Sequence, residues 1–288
     1  MFVKPFRYAR ADTFADAAAM LREAGGSAKV LAGGQSLLPM LNLGILDLEA
    51  LIDIGHVRGA DAITRDDGYL SIGALATHRD LGRDALVAAG QPLVPAAVGW
   101  IGSARIRSRG TIGGSLAHSD PAAELPLAMV VTGAEYVLTD GASTRTVKAT
   151  EFHESFFTTA LADDELIERV RVPALGPGWG WGFAEVSRRR GDFALVVAAA
   201  LVRIADGTIV EARVGLGGVG ERPLRLGAVE IAVEGADAAT LTQRVGALEG
   251  LEPVTDVSAT AEHRHRLARV LAVRALTDAA TRAAGAAG

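Results

Sequence analysis

Lys29-Val30-Leu31-Ala32-Gly33-Gly34-Gln35-Ser36-Leu37 is the stretch on which the reading turns. Val30 to Ala32 is a short apolar run and predicts a buried strand. It runs directly into two glycines, then a polar pair, then an apolar segment. Paired glycines permit positive φ and let a ligand approach the main chain with no Cβ in the way. Successive free N–H groups in such a loop form a concavity suited to phosphate. Gly110-Thr111-Ile112-Gly113-Gly114-Ser115 has the same character. Two such loops, far apart in sequence, suit the two phosphates of one dinucleotide held between them.

Around these loops the chain alternates helix and strand signals. Thr13-Phe14-Ala15-Asp16 fits a capping box, and Gly25-Gly26 ends the apolar face that begins at Phe14. Leu51–Ile54, Leu70–Ala74 and Ile167–Val172 read as strands, and Thr77 as a helix start. Leu93–Trp100 and Glu124–Val131 read as buried helices. Tyr136–Thr139 and Thr144–Lys148 flank Asp140-Gly141 as a hairpin. Leu175-Gly176-Pro177-Gly178-Trp179-Gly180 is the linker candidate. Beyond it Phe183–Arg188, Ala198–Ile204 and Ile209–Leu216 are predicted strands, the last two joined at Asp206-Gly207. Ser258 to about Ala284 has helical periodicity. Strands with hairpins, mixed with helices, predict an α+β fold rather than a doubly wound sheet.

Bulk properties narrow the function. At 288 residues the length suits about two domains. The hydrophobic fraction is 49%, the charged fraction 22% and the net charge −5, so a polyanion partner such as nucleic acid is not expected. The high alanine and arginine content reads as base composition. There is no cysteine, which removes disulfides, thiolate nucleophiles and self-ligated iron–sulfur clusters. No signal core occupies Met1 to Arg10, and the longest apolar run, Phe193 to Val202, is too short to span a bilayer. The expected location is the cytoplasm, with no transmembrane segment.

Most other motifs lose to a plainer account. Gly215-Leu216-Gly217-Gly218-Val219-Gly220 matches G-x-G-x-x-G, but Pro223 forbids the helix that must open there, so a glycine-rich strand end is the better reading. No phosphate-loop lysine exists. His263 and His265 are two apart on a helix and point away from each other, so no metal site is expected. His118-Ser119-Asp120 lies in one loop and cannot form a relay. Asp163-Asp164-Glu165 reads as a solvated turn. Arg105, Arg107 and Arg109 alternate, and an extended segment would put them on one face, toward an anion, a partner protein or solvent. Glu124, ten residues past Gly114, suits the hydroxyls of a ribose. From the residues alone, the site is a place for a dinucleotide-sized anion between two backbone loops.

Ala32-Gly33-Gly34-Gln35-Ser36 with Thr111-Ile112-Gly113-Gly114-Ser115 resembles the FAD-binding medium subunit of molybdenum hydroxylases. That family includes aerobic carbon monoxide dehydrogenase and, as a fused domain, xanthine dehydrogenase. The likeness extends over Pro5-Phe6-Arg7-Tyr8, Ser119-Asp120-Pro121-Ala122-Ala123-Glu124-Leu125-Pro126, Arg190-Gly191-Asp192-Phe193-Ala194 and Leu216-Gly217-Gly218-Val219. It implies an FAD-binding domain of the vanillyl-alcohol-oxidase (PCMH) type over residues 1–176, in two lobes that divide near 55–60. A smaller sheet-and-helix domain follows over 177–288. It further implies FAD contacts at Val30, Leu31, Ala32, Gly33, Gly34, Gln35, Ser36 and Leu37, and at Gly110, Thr111, Gly113, Gly114 and Ser115. Glu124 falls at a ribose-binding acid, Ile101 near the adenine, Ile167 near the flavin ring, and Asp192 and Phe193 close to the isoalloxazine.

The implied role is electron transfer. A large molybdenum-cofactor subunit would hydroxylate substrate, a small subunit with [2Fe–2S] clusters would relay electrons, and FAD here would pass them to quinone or another acceptor. The expected assembly is a heterotrimer, open to dimerisation, and no catalytic or metal-binding residue is assigned to this chain. Gln35 replaces a histidine of some relatives and Ser115 an asparagine, both keeping hydrogen-bonding capacity. Ala184 stands where xanthine dehydrogenases carry lysine, which weakens the analogy to NAD as acceptor. Gly44 stands where relatives often carry arginine. A free-standing FAD-dependent oxidase or reductase of the same fold is the alternative. The substrate of the complex stays open.

Overall fold

The computed structural model describes residues 4–237, 240–248 and 250–285. The chain opens with strand β1 (Arg7–Arg10), helix α1 (Phe14–Ala24), β2 (Ala28–Leu31), α2 (Leu37–Asn42) and β3 (Ala50–Asp53). Thr13 caps α1 by accepting from the Asp16 N–H, and Gly25 ends it in the left-handed region at φ 55°. The three strands form a parallel sheet in the order β1-β3-β2, with Ala17, Ala18 and Leu21 of α1 buried beside it. This is the first lobe.

The second lobe continues through β4 (Ile63–Asp66), β5 (Tyr69–Gly73), α3 (His78–Leu81), α4 (Ala85–Gly90) and α5 (Leu93–Val98). Then come α6 (Ala104–Arg107), α7 (Ile112–His118), α8 (Glu124–Thr132), β6 (Glu135–Thr139) and β7 (Thr144–Lys148). A turn of helix α9 (Ala149–Phe152), a small hairpin of β8 (His153–Ser155) and β9 (Thr158–Thr159), and β10 (Leu166–Pro173) complete it. Its sheet is antiparallel in the order β4-β5-β10-β6-β7, so β10 returns between strands laid down much earlier. Every residue of α8 from Leu125 to Thr132 is buried, which is why this helix shows no polar face in sequence.

The remaining chain forms β11 (Trp179–Ser187), β12 (Ala194–Ala205), β13 (Thr208–Gly217), β14 (Leu224–Arg225), α10 (Gly227–Val233), α11 (Leu241–Arg244) and α12 (Ala261–Gly285). Its antiparallel sheet runs β11-β12-β13-β14. β11 begins at Trp179, so the linker is shorter than its composition suggests and ends at Gly178. Asp206 and Gly207, at φ 49° and 79°, make the predicted turn between β12 and β13. The long helix starts at Ala261, three residues later than its periodicity suggests.

Alanine content proves structural rather than incidental. Ala268, Ala272, Ala275 and Ala279 of α12 are fully buried against Ala184, Ala198 and Ala200 of the sheet. Small residues on both sides let helix and strands approach closely. The other sheet face meets α8: a Cβ on Gly215 would lie 2.9 Å from side-chain atoms of Leu127 and Val131. The G-x-G-x-x-G match is therefore a strand face pressed against a helix. Among the described residues no helix is long and apolar enough to cross a membrane.

Candidate functional site

The two glycine stretches, 76 positions apart from Gly34 to Gly110, touch in space. A Cβ on Gly33 would sit 2.1 Å from the Arg109 carbonyl oxygen and 2.9 Å from the Gly110 Cα. Gly33 is thus glycine for close approach of one backbone to the other, whereas Gly34 carries the positive φ, 72°. The Gln35 amide folds back to donate to the Gly33 carbonyl at 3.1 Å. Among the described residues, the N–H groups of Gly33, Gly34, Gln35, Ser36 and Leu37 have no acceptor within the protein. Val30 and Leu31 bring the chain to this bend at the end of β2.

The second stretch differs from the loop that its glycines suggest. Thr111 is the N-cap of α7, and Ile112, Gly113, Gly114 and Ser115 are already helical. Their N–H groups bond to the Ala76 and Ala74 carbonyls, the Thr111 hydroxyl and the Thr111 carbonyl respectively. Gly113 is required by packing, since a Cβ would lie 2.6 Å from that of Ala74. Among the described residues, the Thr111 N–H and the Ser115 hydroxyl have no partner within the protein. Beneath it lies His78, 6% exposed, whose Nε2–H donates to the Thr111 carbonyl at 3.1 Å. Burial holds the ring pKa down at about 4, so it stays neutral.

A third segment closes the seam. Arg105 and Arg107 lie on α6, one helical turn capped by Ser103, so the alternating arginines do not share an extended face. Arg107 instead turns inward and donates to the Ile101 and Gly102 carbonyls at 2.7 and 2.9 Å. Gly191, at φ 86°, packs on Gly102, where a Cβ would lie 3.1 Å from the carbonyl oxygen. This places the loop that carries Asp192 and Phe193, the latter 73% exposed, beside Gly102. Arg190 lies over the Trp100 ring at 5.4 Å, and Trp100 meets Phe183 of β11 at 6.4 Å. Contacts thus join Gly33 to Arg109 and Gly110, and Gly102 and Trp100 to Gly191 and Arg190, which brings the three segments together.

Glu124 opens α8, and burial raises its carboxyl pKa to about 7, with help from Asp120. Its field is felt at Glu185 of β11, where burial first, then Glu124, push the carboxyl up to about 8 while Arg190 acts in the opposite sense. Ile167 is buried in the core of the second lobe, on a strand that packs against α7. Glu185 and Trp100 escape a motif search, whereas Arg107 and Arg190 stand in stretches the sequence singles out without showing their contacts. Of the first two, Glu185 leaves a trace in the sequence, as an acid in register with Trp181 and Phe183 on an apolar strand face.

Two other constellations are structural. Ser119 does find a histidine, His153 rather than His118: its hydroxyl lies 2.9 Å from Nδ1, and the Tyr136 hydroxyl lies 3.1 Å from Nε2. All three residues are fully or almost fully buried, so the network ties α7 to β6 and holds no exposed nucleophile. Asp163-Asp164-Glu165 is a turn fastened by cations. Asp164 pairs with Arg22 at 3.0 Å, and Glu165 takes two bonds of 2.6 Å from Arg145. Gly44 follows the short α2 at φ 69°, so its glycine serves the turn. Among the described residues no group of three histidine or acidic side chains could hold a metal.

Comparison with known proteins agrees with this architecture. Residues 4–175 match the FAD binding domain in molybdopterin dehydrogenase, and residues 181–279 match the CO dehydrogenase flavoprotein C-terminal domain. The chain is 36% identical over 284 residues to the 6-hydroxypseudooxynicotine dehydrogenase complex subunit alpha of Paenarthrobacter nicotinovorans, covering 96% of this chain and 95% of that one. It is 32% identical to the carbon monoxide dehydrogenase medium chain of Hydrogenophaga pseudoflava over 97% of this chain and 98% of that one. Among solved structures, carbon monoxide dehydrogenase from Hydrogenophaga pseudoflava superposes with a TM-score of 0.93 at 33% identity, over 98% of this chain and 99% of that one. Quinoline 2-oxidoreductase from Pseudomonas putida 86 has a TM-score of 0.93 at 34% identity, with the same coverage. With both matched regions in order and nearly full-length relatives, the chain belongs to the family of FAD-binding medium subunits of molybdenum hydroxylases.

Proposed function

We propose that this chain is the electron-transfer flavoprotein subunit of a molybdenum-containing hydroxylase or dehydrogenase. In this reading it receives electrons from [2Fe–2S] clusters of a small partner subunit and delivers them to an external acceptor. A large molybdenum-cofactor subunit performs the oxidation and chooses the substrate. The observation that carries the reading is the run of free N–H groups from Gly33 to Leu37, pressed against the Arg109–Gly110 backbone. Five successive N–H groups without an acceptor, at a bend where Gly33 meets the Arg109–Gly110 backbone, suit a diphosphate. When bound, FAD supplies the one- and two-electron chemistry.

The chain's own residues hold and orient. Residues 30–37 receive the diphosphate through main-chain donors, joined by the Thr111 N–H and the Ser115 hydroxyl. Glu124 accepts from ligand hydroxyls. Ile101 provides apolar surface for the adenine, Ile167 backs the flavin ring from the core of the second lobe, and Asp192 and Phe193 border the flavin end. His78 fastens the second stretch through the Thr111 carbonyl, and Arg107 fastens the segment before it through the Ile101 and Gly102 carbonyls. We place the division between the FAD-binding part and the C-terminal part at residues 176/177, with the two lobes dividing near 55–60. We also place the complex in the cytoplasm as a heterotrimer.

Because the chain has no cysteine, thiolate-ligated clusters must come from another chain. Two measurements test the proposal. The isolated chain takes up one FAD per polypeptide, read from flavin absorbance and quenched fluorescence. A folded chain that takes up none overturns the reading. In its native host the chain co-purifies with a cysteine-rich small subunit and a large subunit. A chain that purifies alone and turns over a small-molecule donor by itself would establish the free-standing oxidase instead.

A further inference from the structure

Glu185 is buried, 6% exposed, and both of its carboxyl oxygens lack a hydrogen-bond partner among the described residues. A buried polar group without a partner destabilises the fold and calls for an explanation. On β11 it follows Trp181 and Phe183 on the sheet face turned toward the FAD-binding part, and its cross-strand neighbour on β12 is the buried Val197. The helix α12 covers the opposite face through Gly180, Gly182 and Ala184. The charged groups that reach Glu185 are Glu124 from α8 and Arg190 from the loop after β11, with Asp120 acting on Glu124. Arg190 is engaged over the Trp100 ring and makes no ion pair with Glu185.

We infer that Glu185 is a ligand-contacting residue which, together with Glu124, holds hydroxyl groups of the polyol part of FAD. The inference rests on the FAD reading of the site. Two acids that feel each other in a low-dielectric seam do not both ionise, so one stays an O–H donor while the other remains an acceptor. A diol matches that pair, donating to the carboxylate and accepting from the acid. A phosphate does not, because its charge opposes the carboxylate. Hydroxyl-bearing sugar lies on both sides of the diphosphate in FAD, as ribityl toward the flavin and as ribose toward the adenine. Contacts run from Gly33 to Gly110, from Gly110 and Gly102 to the shared neighbour Ile106, and from Gly102 to Gly191, beside which Arg190 acts electrostatically on Glu185.

The test is FAD titration of the full chain by fluorescence quenching, comparing wild type, Glu185→Ala and Glu185→Gln. Glu185→Ala weakens FAD by about tenfold or more, the loss expected for hydrogen bonds to an acid. Glu185→Gln, which keeps a donor and an acceptor, stays within about threefold of wild type at neutral pH. Wild-type affinity falls as pH rises above about 8, where the second carboxyl ionises, and Glu185→Gln removes that fall. Without FAD, Glu185→Ala melts no lower than wild type, whereas a purely structural role would lower its Tm. ADP and FMN distinguish the two sugars. A loss confined to ADP assigns the ribose, and one confined to FMN assigns the ribityl chain. Lumiflavin, which has no polyol, binds all variants alike. Wild-type affinity and an unchanged pH profile in both variants overturn the inference, as does an equal loss for lumiflavin. Failure of wild type to bind FAD would instead overturn the reading beneath it.

Discussion

Gly33→Ala abolishes measurable FAD uptake and destabilises the chain by about 3 kcal/mol, at the upper end of what overpacking costs. The added Cβ meets the Arg109 carbonyl oxygen at 2.1 Å, its carbon at 2.8 Å and the Gly110 Cα at 2.9 Å. All three are main-chain atoms, so no rotamer change relieves the clash. The two loops must separate by about an ångström or more to reach ordinary contact. Separation shifts the unbonded N–H groups of residues 33–37 away from the second stretch, so affinity falls more than stability does. Titration with FAD and a denaturant melt of the same preparation read the two effects. Near-native affinity in Gly33→Ala would show that the loops do not need their contact to bind the ligand. Gly176→Ala is the control: nothing lies within 4 Å of its Cβ, and its φ is not positive, so stability stays within about 0.5 kcal/mol.

Gly182→Ala unseats α12 from the C-terminal sheet. Its Cβ would lie 1.9 Å from the Ala275 carbonyl oxygen and 2.7 Å from the carbonyl carbon. Gly180 stands in the same relation to Ala279 one turn further along, at 2.1 Å, so two rungs of β11 touch helix backbone directly. Moving the helix outward opens the alanine seam, where Ala268, Ala272, Ala275 and Ala279 have no side-chain length to fill the gap. The expected loss is about 3 kcal/mol or more, since clash and cavity terms add. A lowered urea midpoint, with FAD affinity reduced only in proportion to unfolded protein, is the expected signature. Full wild-type stability would mean that the sheet and helix can slide without loss.

The contrast between the two glycines shows how their reasons differ from the ones visible in a string. A Gly-Gly pair suggests positive φ, and Gly34 meets that expectation. Gly33 and Gly113 do not; they are glycine because another backbone or an alanine methyl lies where a Cβ would be. Close approach between segments far apart in sequence has no local signature. The same limit explains Arg107. Its alternation with Arg105 and Arg109 suggests an extended face, but Ser103 caps a helical turn there, and two carbonyls draw the guanidinium inward.

Sequence alone determined the local elements, because caps, turns and apolar periodicity act within a few residues. Thr13 and Gly25 bound α1, Asp206-Gly207 turns β12 into β13, and the unbroken apolar run after Glu124 is a wholly buried helix. It also determined the α+β class and, through the paired motifs, the family. Only the tertiary structure decided that the two glycine stretches meet, and that the second is a capped helix start with most of its N–H groups already bonded. It alone buried Glu185 with no hydrogen-bond partner among the described residues and within the field of Glu124. Burial, not residue type, sets the proton affinity of those two acids, and burial belongs to the assembled fold.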